Sequence, residues 1–180
     1  MIHIDAHCDT SNSLWGSDDH HGAPFRRAVE KSLISPKHVI QIGIRGAQNN
    51  TEGWDYSKEH FTVVYMHEVD EVYGGIAGVL EKARNVVGDR PTYITFDIDS
   101  LDPVIAPGTG TPEVGGLTSS EALRFLRGLK GLNIVGADMV EVSPPFDVGG
   151  PGGGLTSLAG STIAFELLCL LAMSVAEKRN

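Results

Sequence analysis

The stretch Phe96-Asp97-Ile98-Asp99-Ser100-Leu101-Asp102-Pro103 follows the β-branched and aromatic run Tyr93-Ile94-Thr95. A run of this kind that stops at an Asp-Pro step predicts a strand that ends in a loop, with Asp97 and Asp99 at its carboxyl end. Residues two apart in an extended chain point to the same face, so the two carboxylates converge. Two buried like charges are costly unless protons or a cation neutralise them. The pattern indicates either a site for a hard divalent metal or a solvated Asp-x-Asp turn.

A second set of candidate ligands lies at the start of the chain, in Ile2-His3-Ile4-Asp5-Ala6-His7-Cys8-Asp9. In a strand, Asp5, His7 and Asp9 keep the period of two and share one face. Carboxylate and imidazole donors together suit Mn, Fe or Zn. The alternative is a surface strand end with scattered polar residues, and the separate Asp-x-Asp pair argues against it.

Strand-like and helix-like segments alternate along the chain. Strands are predicted at 1–10, 39–44, 62–65, 92–96 and 133–142, helices at 25–33, 68–87, 117–129 and 156–175, and an irregular polar segment at 47–59. This alternation predicts an α/β protein with a mainly parallel sheet and helices on both faces. Ligands bind outside the carboxyl ends of strands in such sheets, which is where Asp5, Asp97 and Glu141 fall.

Composition narrows the class of protein and of partner. The 180 residues are 41% hydrophobic and 21% charged, which suits one globular domain. A net charge of -9 argues against a nucleic-acid or anionic-membrane surface and suits a small cationic substrate. Cys8 and Cys169 indicate neither a disulfide framework nor a zinc-thiolate site, and with no visible signal peptide this favours the cytoplasm. The apolar segment 156–175 could span a membrane by length, but Glu166 within it favours a buried core helix.

The loop at 11–24 carries candidate catalytic histidines. His21 precedes a glycine just after the first ligand set and could shuttle protons near neutral pH, whereas His20 is expected to be exposed. Arg26 and Arg27 follow on a short helix, where they either face solvent or another subunit, or favour an acidic substrate. The glycine-rich segment 149–154 has no Lys-Ser/Thr step, so it is not assigned to a nucleotide.

Three segments together resemble the ureohydrolase (arginase and agmatinase) signatures in their usual order. They are Asp5-Ala6-His7-Cys8-Asp9-Thr10, the stretch 96–103, and Gly136-Ala137-Asp138-Met139-Val140-Glu141-Val142. Segments 21–27 and 106–112 resemble the agmatinase branch, with guanidinobutyrase expected as the nearest relative. The resemblance runs from Met1 to the final helix. It implies that residues 1–180 are one ureohydrolase domain, its C-terminal portion, with a three-layer α/β/α, arginase-like fold truncated at the N-terminus.

The resemblance implies hydrolysis of a guanidino compound, agmatine or 4-guanidinobutanoate, to urea and an amine at two Mn²⁺ ions, by a hydroxide that bridges them. Asp5 and Asp97 would bridge the metals, Asp9 would ligate one of them, and His7 and Asp99 would ligate the other. Asp9 would also orient the hydroxide.

Two further roles follow from the same resemblance. Glu141 would bind the substrate guanidinium as a planar, bidentate pair. His21 would contact the substrate and pass a proton to the departing amine. The resemblance also implies a trimeric or hexameric homo-oligomer.

One departure from the family pattern concerns the first metal. Family members carry an upstream Gly-Gly-Asp-His segment whose histidine ligates it, and nothing in this sequence matches that segment. That metal would keep Asp5, Asp9 and Asp97 but lose its imidazole. The alternatives are thus an active ureohydrolase portion, a truncated non-catalytic homologue that assembles with full-length subunits, and another binuclear metallohydrolase or a deacetylase on the related fold. Glu141 argues against the last.

Overall fold

The computed structural model describes residues 1–48, 50–149 and 154–177. Five parallel strands form one sheet in the order β3-β2-β1-β4-β5. The strands are β1 (Ile2–Ile4), β2 (Ile40–Ile44), β3 (Thr62–Tyr65), β4 (Thr92–Asp97) and β5 (Ile134–Val140). The α-helices are α1 (Pro24–Glu30), α2 (Glu52–His60), α3 (Glu68–Glu71), α4 (Ile76–Val87), α5 (Ser119–Gly128) and α6 (Leu155–Glu177). The predicted parallel α/β architecture with flanking helices is confirmed.

The chain changes direction across the sheet between β1 and β4. From β1 it moves outward to β2 and β3, then returns to the other side of β1 and continues outward to β5. Residues 2–4 pair with residues 40–42 on one side and with residues 94–96 on the other. The loops that follow β1 and β4 therefore leave the sheet side by side. This is the switch point at which open α/β sheets bind ligands.

One face of the sheet carries the main apolar core. Ile4, Ile42 and Phe96 lie in neighbouring strands and are buried together with the inner faces of α4, α5 and α6. α5 begins at the predicted N-cap, where Thr118 Oγ1 accepts from the Glu121 backbone N at 3.2 Å and the Glu121 carboxylate accepts from the Thr118 backbone N at 2.8 Å. This capping box satisfies two backbone donors that have no partner within the helix.

Two predicted elements differ from those observed. The polar segment 47–59 contains α2, so the prediction of an irregular chain there was wrong. Acidic residues in its first turn and basic residues in its last suit the helix dipole, a signal that does not depend on apolar periodicity. The predicted helix 68–87 is divided into α3 and α4 because Gly74 and Gly75 take φ values of 65° and 98°, which a helix does not allow.

α6 is the one helix in the described part of the chain that has the length and apolar composition to cross a membrane. It packs on β5 and α5, and Glu166 accepts a 3.0 Å hydrogen bond from Arg127 Nε of α5. Leu158, Phe165 and Leu168 are each more than 60% exposed. The expectation of a buried core helix therefore holds for one face of α6 only. Of the glycine-rich segment 149–154, residues 150–153 lie outside the described residues.

Candidate metal centre

Asp5, His7 and Asp99 meet at the carboxyl ends of β1 and β4. His7 Nδ1 lies 3.0 Å from Asp99 Oδ2 and 3.5 Å from Asp5 Oδ1. One donor atom from each residue falls within 4.8 Å of the others. The backbone N of Ala6 donates to Asp99 Oδ1 at 3.1 Å and thereby ties the loop after β1 to the turn after β4. The convergence predicted from two separate sequence segments is thus present in the structure.

Asp97 ends β4 and lies below this group. It is 4% exposed, and the backbone N of Asp99 donates to its Oδ1 at 2.8 Å. Residues 98–100 form a 3₁₀ turn, so Asp97 and Asp99 do not alternate along one extended strand as predicted. The Asp97 carboxylate instead caps the start of this turn, and the turn places Asp99 against His7.

Asp9 reaches the centre by a different route from the one predicted. β1 ends at Ile4, and Asp9 has a left-handed backbone with φ of 52°, so the extended period of two does not apply to it. Asp9 nevertheless offers a carboxylate oxygen within 4.8 Å of donor atoms of His3 and Asp5. Non-glycine residues adopt this conformation at some cost, and Asp is one of those that tolerate it.

The centre holds an excess of negative charge. Burial and the charges of Asp5 and Asp99 raise the pKa of Asp97 to about 10. Burial and the charge of Asp5 raise the pKa of Asp9 well above its usual range. Burial would lower the pKa of His7, but its contacts with Asp5 and Asp99 raise it to about 11. A divalent cation would supply the positive charge that these groups otherwise take from protons, so the donor set fits a metal.

A cavity of about 220 Å³ opens above the carboxylates, and Asp9, Asp97, His21 and Glu141 are among the residues that line it. Glu141 directly follows β5 and has a left-handed φ of 63°. His21 and Glu141 are exposed to this cavity and also line a second one, of about 240 Å³, on the side of Asp5. Of the sequence-predicted site residues, all but Asp5 line the first cavity, and Asp5 lines the second.

His20 differs from the prediction of an exposed loop residue. It is half-buried and lines the first cavity, and neither ring nitrogen has a hydrogen-bond partner within the described ranges. Arg26 pairs with Glu30 and Glu52 at 3.1 Å each, and Arg27 pairs with Glu30 at 2.7 Å. Neither arginine lines either of these two cavities. Both guanidinium groups are thus paired within the described chain and away from the two cavities, which argues against contact with an acidic substrate.

The sequence did not reveal several residues that support the centre. Arg45 donates to six backbone carbonyl oxygens, among them Asp99 at 2.8 Å and Glu113 at 2.7 Å. Thr111 Oγ1 donates to Asp99 Oδ2 at 3.2 Å, and Glu113 Oε1 lies 3.5 Å from His7 Nε2. An arginine just after a predicted strand was the only available signal, and it is indistinguishable from a solvated charge.

The fold and the centre define a class: a parallel α/β protein whose switch point carries a carboxylate-rich site suited to divalent metal. The family model described as the arginase family matches residues 1–170, so the chain belongs to that family. It is 52% identical over 178 residues to a guanidinopropionase from Pseudomonas aeruginosa, covering 98% of this chain and 54% of that protein. A guanidinobutyrase from the same organism, the expected nearest relative, is 42% identical, covering 95% of this chain and 52% of that protein.

The comparison with solved structures agrees. Proclavaminate amidinohydrolase from Streptomyces clavuligerus superposes with a TM-score of 0.88 at 43% identity, covering 96% of this chain and 56% of that chain. The predicted arginase-like fold and agmatinase-like branch are confirmed. The chain spans about half the length of the curated relatives it matches.

Proposed function

We propose that this chain carries catalytic machinery for the hydrolysis of a guanidino compound to urea and an amine. The observation that carries the proposal is the single opening at the switch point, where Glu141 and His21 face the same space as the buried carboxylates Asp97 and Asp99. Family membership and the carboxylate-rich cavity both support a positively charged guanidinium as the group that enters it.

Two Mn²⁺ ions are the proposed cofactors. Asp5 and Asp97 would contact both, Asp9 would complete one set, and His7 and Asp99 the other. Bound manganese supplies a water-derived nucleophile at neutral pH and stabilises negative charge in the transition state. The imidazole grouped with Asp5 and Asp9 is that of His3, whose Nε2 lies 2.6 Å from Asp5 Oδ2. The second cavity leaves Asp5, Asp9 and Asp97 open to a further ligand.

The remaining steps belong to this chain's own residues. Glu141 would accept two N–H bonds from the guanidinium, which fixes the plane of the substrate. Asp9 would accept a hydrogen bond from the attacking nucleophile and so orient it towards the guanidinium carbon. His21, on the loop at the rim, would donate a proton to the leaving amine, which is a poor leaving group without it.

The polar lining of the first cavity bears on the substrate tail. Ser11, Ser13 and Asn50 line it with neutral hydrogen-bonding groups, and the charge of Glu52 is already paired with Arg26. We therefore propose that the tail is held by hydrogen bonds rather than by a formal ion pair. A carboxylate tail is compatible with this lining, as the similarity to a guanidinopropionase also suggests.

The proposal is tested by metal analysis and urea release on one preparation. After reconstitution with Mn²⁺ and desalting, about two ions per chain are expected, with urea from 3-guanidinopropanoate, 4-guanidinobutanoate or agmatine. Glu141→Gln should retain the metal and lose turnover, whereas Asp97→Asn should lose the metal as well. A wild-type chain that binds two ions but releases no urea from any of the three would remove the catalytic proposal.

A second candidate function is assembly with other ureohydrolase subunits, without turnover. It is favoured by the exposed face of α6 at Leu158, Phe165 and Leu168, and by β5, which pairs only with β4 among the described strands. Self-association, as a trimer or hexamer, would use the same surface. Light scattering of the chain alone and mixed with a full-length relative tests this: a monomer in both samples would exclude it.

A further inference from the structure

A buried polar pair behind the metal centre connects β1 to β2. His3 and Gln41 are paired in the register of the two strands, and their side chains are 1% and 0% exposed. The ring of Phe25 covers His3, with ring centroids 4.2 Å apart. Neither His3 nor Gln41 lines either of the two cavities at the centre. Apolar side chains at these two positions would cost less folding free energy than buried polar ones, so packing alone does not account for His3 and Gln41.

The hydrogen bonds of this pair determine which nitrogen of His3 carries the proton. Gln41 Nε2 lies 2.6 Å from the backbone oxygen of Cys8, which can only accept, so the amide group must present its NH₂ there. The second hydrogen of that NH₂ points to His3 Nδ1 at 3.0 Å, which must then be the acceptor. His3 is therefore protonated on Nε2, and this N–H donates to Asp5 Oδ2 at 2.6 Å.

We propose that Gln41 and His3 are positioning residues that orient the Asp5 carboxylate toward the metals. The backbone N of His7 donates to Asp5 Oδ1 at 2.6 Å, so each carboxylate oxygen is held by one N–H and keeps a lone pair for a metal. The trio His3, Asp5 and Asp9 is close enough to hold an ion by itself. In this arrangement His3 Nε2–H donates to Asp5 and Nδ1 accepts from Gln41, so both ring nitrogens are engaged in orienting the carboxylate.

The orientation of Gln41 destabilises the fold in a way that a side chain serving only to fill space would not. Gln41 Oε1 is buried and has no hydrogen-bond partner within the part of the chain that is described. An unpaired buried carbonyl oxygen destabilises the folded state. The hydrogen bonds from its NH₂ group to Cys8 and His3 therefore orient the amide, and its oxygen contributes none.

The inference rests on the proposed function only in that Asp5 is a metal ligand. Removing an outer partner of a metal ligand typically lowers metal affinity by 10- to 100-fold. His3→Phe and Gln41→Met should each weaken Mn²⁺ binding by about that factor. His3→Gln places an amide N–H near the position of Nε2, so its affinity should lie closer to the wild-type value than that of His3→Phe. Thr92→Val is the matched control, because Thr92 is a buried polar residue of β4 that lines neither cavity of the centre.

A metal-free measurement separates this inference from the proposed function. The long-range ¹H–¹⁵N spectrum of histidine-labelled protein reports which ring nitrogen is protonated, and His3→Phe assigns the signal. A proton on His3 Nε2 is the expected result, and protonation on Nδ1 alone would overturn the inference. Equal loss of affinity in Thr92→Val would also overturn it, by showing that any loss of a buried polar group in the sheet has this effect. If the wild-type chain binds no Mn²⁺, the proposed function fails, and the spectrum still decides the tautomer.

Discussion

Replacing Asp97 by Asn is expected to make the metal-free protein less sensitive to rising pH. Asp97 is 4% exposed, and burial together with the charges of Asp5 and Asp99 raises its pKa to about 10. In an unfolded chain an Asp side chain has a pKa near 3.9. Between these two values the folded protein holds a proton on Asp97 that the unfolded chain has released.

The sign and size of the effect follow from this difference. Because the folded state binds more protons, its free energy of unfolding falls as pH rises, by about 1.4 kcal/mol per pH unit for one proton. From pH 5.5 to 7.5 the loss is about 3 kcal/mol. Asn has no proton to release, so the slope for Asp97→Asn should be smaller by about 1.4 kcal/mol per pH unit. The raised pKa values of Asp9 and His7 act in the same direction in both proteins.

The assay is urea unfolding in the presence of a chelator at pH 5.5, 6.5 and 7.5, with the free energy extrapolated to water. Asp102→Asn is the matched control. The backbone N–H groups of Val104, Gly115 and Gly116 lower the pKa of Asp102, so it is ionised in both states throughout this range. Its loss should shift all three values equally. An unchanged slope in Asp97→Asn, or a wild-type stability that rises with pH, would refute the reasoning.

Three further substitutions test the supporting structure. Arg45→Leu leaves the carbonyl oxygens that it binds without their donor and should cost about 3 kcal/mol in urea unfolding; a loss under about 1 kcal/mol would show that water replaces the guanidinium. Glu121→Ala removes half of the capping box and should cost about 1 kcal/mol, with no change in Mn²⁺ affinity by calorimetry. Gly46→Ala places a methyl group against the ring of His7 and should weaken Mn²⁺ binding about tenfold while the circular dichroism spectrum stays unchanged; unaltered affinity would mean that the ring has room to move.

The sequence predicted which side chains converge better than it predicted their geometry. A β-branched run that stops at Asp-Pro was enough to place Asp97 and Asp99 at a strand end, and parallel strands put such ends on one edge. The assumption of an extended chain failed at Asp9, because the strand before it is only three residues long. A left-handed backbone at a non-glycine residue has no reliable signature in a single sequence.

Other errors have the same origin in tertiary contacts. α2 has no clear apolar stripe and was missed; it is anchored by Thr10 Oγ1, which donates to the backbone oxygen of Gly53 at 2.7 Å. The burial of His20 depends on the path of the loop after β1, which composition alone does not specify. Arg45 donates to carbonyl oxygens of residues more than 50 positions along the chain, so the residues near it in sequence do not indicate that it supports the centre.

The same concentration of charge determines both the stability of the apo protein and its capacity to hold metal. Without a cation, Asp97 and Asp9 retain protons, and the fold loses stability as those protons become harder to keep. If a cation binds as proposed, it would displace the protons and the carboxylates would become its ligands, so binding would be coupled to proton release. Divalent metal should therefore stabilise the fold more at pH 7.5 than at pH 5.5. The electrostatic repulsion at the switch point is thus a cost only to the metal-free chain.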